Sequence, residues 1–306
     1  MRQSWKVYLP FAITGLLLGL LLFLYGDRRL LAAFTGIRLA PLALGVFFTL
    51  LTLLIGGTDR WRRIVRMSGT DLSWNDAWRM RLGGAPLKMV TPLRVSELLR
   101  APYLVQRYGI PTATALGVVA FEKAVIVLGV APALAVRVAV YGEVASLYVF
   151  VLTAVIVTLF ATSDGRQIVL RSTRQLAPAQ LPRVEQLLTA FSAAGFGGTL
   201  KWVGYSTVLT VTEAAALAFC LQAVGVELPV IEWLTVLPAV LLVAMVSFTV
   251  GGLGAREAAL VLLFPALDPH SLMAGAMVFF VVAKVGVSAL GLFWLPSYLR
   301  GMAKTD

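Results

Sequence analysis

Long apolar stretches alternate along this chain with short, arginine-rich polar ones. Predominantly apolar runs occupy residues 7–25, 39–55, 113–135, 144–161, 203–224, 231–250 and 272–295. A bilayer core takes about 20 apolar residues in helical form, so each run is read as a membrane helix. The runs are continuous rather than alternating with period two, which excludes the strands of an outer-membrane barrel. Residues 255–267 are apolar but short for a span unless the surrounding protein supports their ends. Residues 184–200, rich in small side chains and mildly amphipathic, fit an interfacial helix or a shallow re-entrant piece. Bulky Leu22, Phe23, Leu24 and Tyr25 offer no small-residue cleavage site, so the first run is read as a span and not a secretory signal.

One stretch departs from this pattern. Residues 83–100 carry Lys88, Arg94, Glu97 and Arg100 together with Pro86 and Pro92, and hold too few consecutive apolar residues to span. Two readings fit it: a broken, re-entrant element lining a cavity, where protein or water satisfies the backbone, or an amphipathic hairpin on the membrane surface. The sequence repeats this arrangement later. Thr249-Val250-Gly251-Gly252-Leu253-Gly254-Ala255-Arg256-Glu257 is again a glycine-broken turn opening into a short helix with an Arg and a Glu. Arg94 lies 28 residues before Glu122, which with Lys123 interrupts one apolar run, and Arg256 lies 28 residues before Lys284, which interrupts another. Interrupted hydrophobic segments at matching places point to a binding site near the bilayer midplane. The fold expected is an all-α polytopic membrane protein of about eight crossings with broken or re-entrant helices. A single integral membrane domain, residues 1–306, would hold two pseudo-repeated halves, about 1–165 and 184–306, joined by a basic loop.

Composition agrees: 59% hydrophobic and 13% charged residues exclude a soluble globular domain. The 26 Lys and Arg against 15 Asp and Glu give a net charge of +11. With eight crossings and the N-terminus inside, sixteen of those 26 fall on the inner side and four on the outer, which places both termini in the cytoplasm. Arg60, Arg62, Arg63 and Arg66, beside Trp61 and Trp74, read as a juxtamembrane patch for anionic headgroups or as a topology signal alone. Arg166, Arg171, Arg174 and Arg183 read as the basic loop between the halves. The single Cys220 permits no internal disulfide, and the single His270, in an Asp-Pro-His turn, reads as a solvated loop residue. No metal site, cofactor or nucleic-acid partner is expected.

The charges within the membrane elements carry the functional signal. Lys88, Arg94, Lys123, Arg256 and Lys284 face Glu97, Glu122, Glu213 and Glu257. Ionised groups at membrane depth are costly unless they pair, meet water or serve a ligand, and an anionic ligand would balance the surplus. Arg94 and Glu97, three apart, can touch on one helix face, whereas Arg256 and Glu257, adjacent, are expected to point apart and to find partners among Lys284, Lys123 and Glu122. Gly251, Gly252 and Gly254 are expected to leave backbone N–H groups free at a helix start, a geometry suited to phosphate.

At Pro92-Leu93-Arg94-Val95-Ser96-Glu97-Leu98-Leu99-Arg100 and at Gly251-Gly252-Leu253-Gly254-Ala255-Arg256-Glu257-Ala258 the chain resembles the lysylphosphatidylglycerol synthase transmembrane, or flippase-like, family. The first motif has Ser96 where the family usually has Gly; the second matches well. The resemblance covers nearly the whole chain and implies lipid translocation in a bacterial inner membrane. Other members are associated with polyprenol-linked sugars or hopanoid metabolism. The expected function is therefore a flippase for an anionic or phosphate-bearing lipid, aminoacylated or polyprenyl-linked. The headgroup would be held by Arg94, Glu97, Gly251, Gly252, Gly254, Arg256, Glu257, Lys123, Lys284 and Glu122, with no catalytic residue. The alternatives are a membrane enzyme using Glu97 or Glu257 as base, or an accessory subunit of a lipid-synthesis complex. A homo-oligomer or a separate lipid-synthesis enzyme would be the protein partner. The family's cytosolic aminoacyl-transfer domain has no counterpart in this sequence, and no Walker-type motif suggests ATP drive.

Overall fold

A computed structural model describes residues 5–91, 97–142, 151, 155, 162–176, 181–247 and 249–302. Among these, all regular structure is helical. Four helices are long and apolar enough to cross a membrane: Leu39–Arg66, Thr112–Tyr141, Ala193–Ala223 and Pro269–Leu292. A fifth is added if Phe11–Tyr25 and Arg28–Thr35, bent by 91° at their junction, count as one span. The apolar helix Val230–Met245 is shorter. The expected run 144–161 lies outside the described residues apart from Val151 and Val155. The chain resolves into two compact units that interleave in sequence.

The first unit comprises Met1–Ile55, Leu82–Ser96 and Val211–Leu295. Its first helix, Trp5–Tyr25, stops at Gly26, and Asp27 caps the next by accepting the N–H groups of Arg29 (2.8 Å) and Leu30 (3.3 Å). That short helix lays Leu30 against Met273 and Ala274 of Pro269–Phe280. Small residues let backbones approach: a Cβ on Gly45 would meet Cys220 and the Ala216 carbonyl, and one on Gly275 would meet Leu221. The buried centre collects Ala214, Leu217, Cys220, Leu237, Leu260 and Phe279 from four helical segments. Two spans contain a π-helical turn, Leu51–Gly56 and Val281–Gly286, the second carrying Lys284. Ala85–Val90 packs on Val287–Leu292 and against the turn Val250–Gly252.

His270 differs from its expected solvated setting. It is buried, with Nδ1 3.0 Å from Asp268 and Nε2 3.3 Å from Asp27, and its ring meets Tyr25 edge-on. The cause is the bend at Gly26, which brings Tyr25 and Asp27 over the start of the helix that His270 opens.

The second unit comprises Gly56–Arg81, Glu97–Thr210 and Pro296–Asp306. The helix expected over residues 39–55 continues to Arg66 because its next turns are amphipathic: Trp61, Ile64 and Val65 are buried while Arg63 and Arg66 face out. Ser73 caps the helix Trp74–Gly83 by accepting the Asp76 N–H at 3.1 Å. The Asp76 carboxylate accepts from Tyr108 (2.6 Å), Arg79 (3.1 Å) and Tyr103 (3.2 Å). Burial would raise the Asp76 pKa, but the Tyr108 hydrogen bond, the Arg107 charge and the Ser73 and Tyr103 hydroxyls outweigh it, so the carboxyl sits below its ordinary value. Arg100–Tyr108 ends at Gly109 in the left-handed region (φ 66°) and packs on Thr112–Leu128. The stretch expected as a basic loop is a helix, Ser163–Leu176, in which Arg166, Arg171 and Arg174 lie on a polar face. The helical stretch Leu181–Ala223 is broken at Gly195 (φ 64°, ψ −179°).

Candidate functional site

In the second unit Arg60 of Gly57–Arg66, Arg81 of Trp74–Gly83 and Arg100 at the start of Arg100–Tyr108 converge on one carboxylate, Glu122 of Thr112–Leu128. Arg100 donates from Nη1 to Glu122 Oε2 at 2.6 Å. Arg81 Nη1 lies 3.3 Å from Oε1 and donates also to the Gly57 carbonyl at 2.8 Å. Arg60 Nη2 stands 3.8 Å from Oε1, and its Nη1 donates to Ser206 Oγ at 3.3 Å. Lys123 forms an ion pair with buried Glu97. The Arg100 guanidinium also lies over the Trp61 ring, 5.0 Å from its centroid. Four cations thus meet two carboxylates among the described residues.

Hydrogen bonding is unbalanced in the same direction. Among the described residues, Arg81 Nε, Trp61 Nε1 and the Tyr298 hydroxyl are buried without a hydrogen-bond partner. Trp61 lies under Arg100, and Tyr298 stacks on Tyr103 at 5.5 Å and senses the Arg100 charge. Burial, then the charges of Arg100 and Arg60 against the attraction of Glu122, bring the Arg81 pKa down to about 10, so it remains a cation at neutral pH. The region is rich in donors and positive charge and short of acceptors.

The first unit holds the glycine turn. Gly251, Gly252 and Gly254 have φ of 64°, 79° and 84°, left-handed conformations that break the chain between Val230–Val246 and Ala255–Leu263. Val250 donates its N–H to Thr14 Oγ1 at 2.8 Å. Arg256 and Glu257 are buried, and contrary to expectation they do not point apart: Arg256 Nη2 donates to Glu257 Oε1 at 2.8 Å. The other oxygen, Oε2, accepts the Gly254 N–H at 2.7 Å. Glu257 therefore already supplies an anion to this helix start, where a free Gly254 N–H was expected. Phe279 and Phe280 lie 5.2 and 5.7 Å from the Arg256 guanidinium.

The candidate residues fall into two groups, one in each unit. Glu97, Glu122 and Lys123 come together in the second, where Arg100 joins them. Gly251, Gly252, Gly254, Arg256 and Glu257 form the turn of the first. Lys284 is in the first unit too, its ammonium 3.9 Å from Glu213, and Arg256 and Glu257 hold each other where partners among Lys284, Lys123 and Glu122 were expected. Arg94 lies outside the described residues. The sequence reading placed Arg60 in a juxtamembrane patch and did not single out Arg81, because a basic residue flanking a span looks alike whether it faces lipid or a buried acid. The available signal was Glu122 itself, an acid in an apolar run that requires cations from elsewhere.

The sequence profile described as Lysylphosphatidylglycerol synthase TM region matches residues 7–291. The chain belongs to this family. As a member of the lysylphosphatidylglycerol synthase TM region family it is a multi-pass membrane protein tied to lipid metabolism or transport. Among curated proteins nothing matches it.

Proposed function

We propose that this protein moves an anionic, phosphate-bearing lipid between the leaflets of a bacterial inner membrane, with the Glu122 cluster as the site that receives the phosphate. The observation that carries this reading is the imbalance at that cluster: among the described residues, four cations meet two carboxylates, beside three buried donors that lack acceptors. A phosphodiester offers a negative charge and several acceptor oxygens. Guanidinium groups match those oxygens with a planar fork and stay ionised when buried. Glu122 and Glu97 hold the cations when no lipid is bound, so an arriving phosphate competes with an internal pair instead of meeting bare charge. The role is binding and passage rather than bond chemistry. In this reading the chain crosses about eight times with both termini cytoplasmic, as the distribution of basic residues favours.

The test is reconstitution of the full chain in phosphatidylcholine vesicles carrying a trace of headgroup-labelled phosphatidylglycerol, with leaflet exchange followed by an impermeant quencher. Exchange should exceed that of protein-free vesicles. Arg81→Gln should slow it, and Arg81→Lys should restore part of the loss. Parental exchange in Arg81→Gln, with unfolding unchanged, would place the phosphate elsewhere.

A further inference from the structure

Beside the Glu122 cluster, within the second unit, lies an apolar pocket of about 200 Å³. Ile64, Met67 and Ser68 line it from one side, and Thr114, Val118 and Phe121 from the other. Its position follows from helical spacing. Ile64 comes four residues after Arg60, and Val118 four residues before Glu122. Residues four apart share a helix face, so on both helices the pocket wall continues from the ion cluster about one turn, or ~5.4 Å, away. The two helices pack directly on each other. Ser68 donates its hydroxyl proton to the Val65 carbonyl at 2.7 Å, which leaves that wall with little polar demand. Phe121 is held edge-on against Phe191, 4.8 Å between centroids, so the inner end is firmly walled. Exposed Ala193 stands at the rim.

A surplus of positive charge and an unsatisfied set of donors, followed one turn later by an apolar slot, is complementary to a molecule with a phosphate at one end and a hydrocarbon at the other. We propose that this pocket seats the headgroup-proximal methylenes of one acyl chain of the lipid whose phosphate the cluster holds. The proposal rests on the headgroup reading above and extends it: the second unit binds its lipid by head and tail together. One chain suffices to fill the slot, whose walls are single side chains from successive turns of two helices. The second chain remains in bulk lipid.

The probe is phosphatidylglycerol bearing a diazirine on one acyl chain, near its carboxyl end or at its methyl end, photolysed in phosphatidylcholine vesicles containing the full chain. Cross-links mapped by mass spectrometry should fall on Ile64, Val118 and Phe121 with the carboxyl-end probe and only weakly with the methyl-end probe. Ala193→Trp, at an exposed position that leaves the core intact, should lower this labelling by an order of magnitude, and Val118→Trp should do the same from inside. A diacylglycerol carrying the carboxyl-end diazirine should label the pocket poorly, because it has no phosphate for the cluster. Equal labelling by diacylglycerol would mean that a tail binds without the head, overturning the coupling and counting against the headgroup reading. Labelling outside the pocket, with Arg81→Gln still slowing exchange, would overturn the tail site and leave the headgroup reading standing. Unchanged labelling in Ala193→Trp would likewise overturn it.

Discussion

Arg256 and Glu257, neighbours in the chain, hold each other at 2.8 Å inside the protein. Adjacent residues on a helix point about 100° apart, but Glu257 is in the first helical turn and reaches back over it, one oxygen on the Gly254 N–H and the other on its neighbour's guanidinium. One carboxylate thereby caps the helix and neutralises the arginine. Removing one member of a buried ion pair leaves the other uncompensated, at a cost of about 3–5 kcal/mol. Arg256→Ala is expected to destabilise by that order, and Arg256→Ala combined with Glu257→Ala by clearly less than the sum of the two single changes. Denaturant unfolding in detergent measures both; strict additivity would show that the two side chains are energetically independent.

The glycine turn makes a second expectation. A Cβ on Gly252 would meet the Ala244 carbonyl and side chain in addition to the strain of φ 79°, whereas Gly109, at φ 66°, has open space around it. Gly109→Ala should cost only the left-handed penalty, about 1–2 kcal/mol. Gly252→Ala should cost a further ~1–3 kcal/mol for displacing its neighbours. The comparison needs only two thermal melts, and equal losses would show that the second helix end yields freely.

The third concerns acid. The Asp76 carboxyl sits below its ordinary value because Tyr108, Arg107, Ser73 and Tyr103 outweigh the effect of burial. A group with a depressed folded pKa contributes stability above its unfolded pKa of about 3.9 and loses it as pH falls through the lower folded value. Unfolding followed from pH 5 downward should therefore show a stability loss that begins near pH 4. Asp76→Asn should be less stable at pH 5 and should flatten that part of the profile. A parental acid profile in Asp76→Asn would assign the acid sensitivity to other carboxylates.

The membrane helices were legible because a bilayer imposes length and apolarity on every residue of a span, a constraint strong enough to read from composition. The glycine turn was legible for a different reason: three glycines in four positions before Arg256 have few uses other than left-handed backbone. The Glu122 cluster was only half legible. Glu122 and Lys123 stand out within an apolar run, but Arg60 and Arg81 are 62 and 41 residues earlier in sequence, among other arginines of which Arg63 and Arg66 face outward. Which arginine turns inward is decided by the buried neighbours Trp61 and Ile64, a tertiary matter. Arg256 with Glu257, and His270 with Asp27, escaped for the same kind of reason. Each depends on a chain reversal, a helix's first turn or the bend at Gly26, that regular spacing rules do not describe.

The π-helical turns at Leu51–Gly56 and Val281–Gly286 bear on how this chain tolerates changes of length. A π turn is an α-helix that has absorbed one surplus residue. Deleting one residue from a regular α-helical turn rotates everything after it by about 100° relative to everything before. Deleting one from Val281–Gly286 would instead let the turn relax to plain α-helix with its two ends still in register. Gly291, which allows the helix to lie against the Leu82 backbone, would keep that contact, and Ser288 would keep the Ala85 carbonyl it bonds at 3.3 Å. The extra residue is therefore local slack in one helix, and a single deletion there would be less damaging than the same deletion elsewhere in the span.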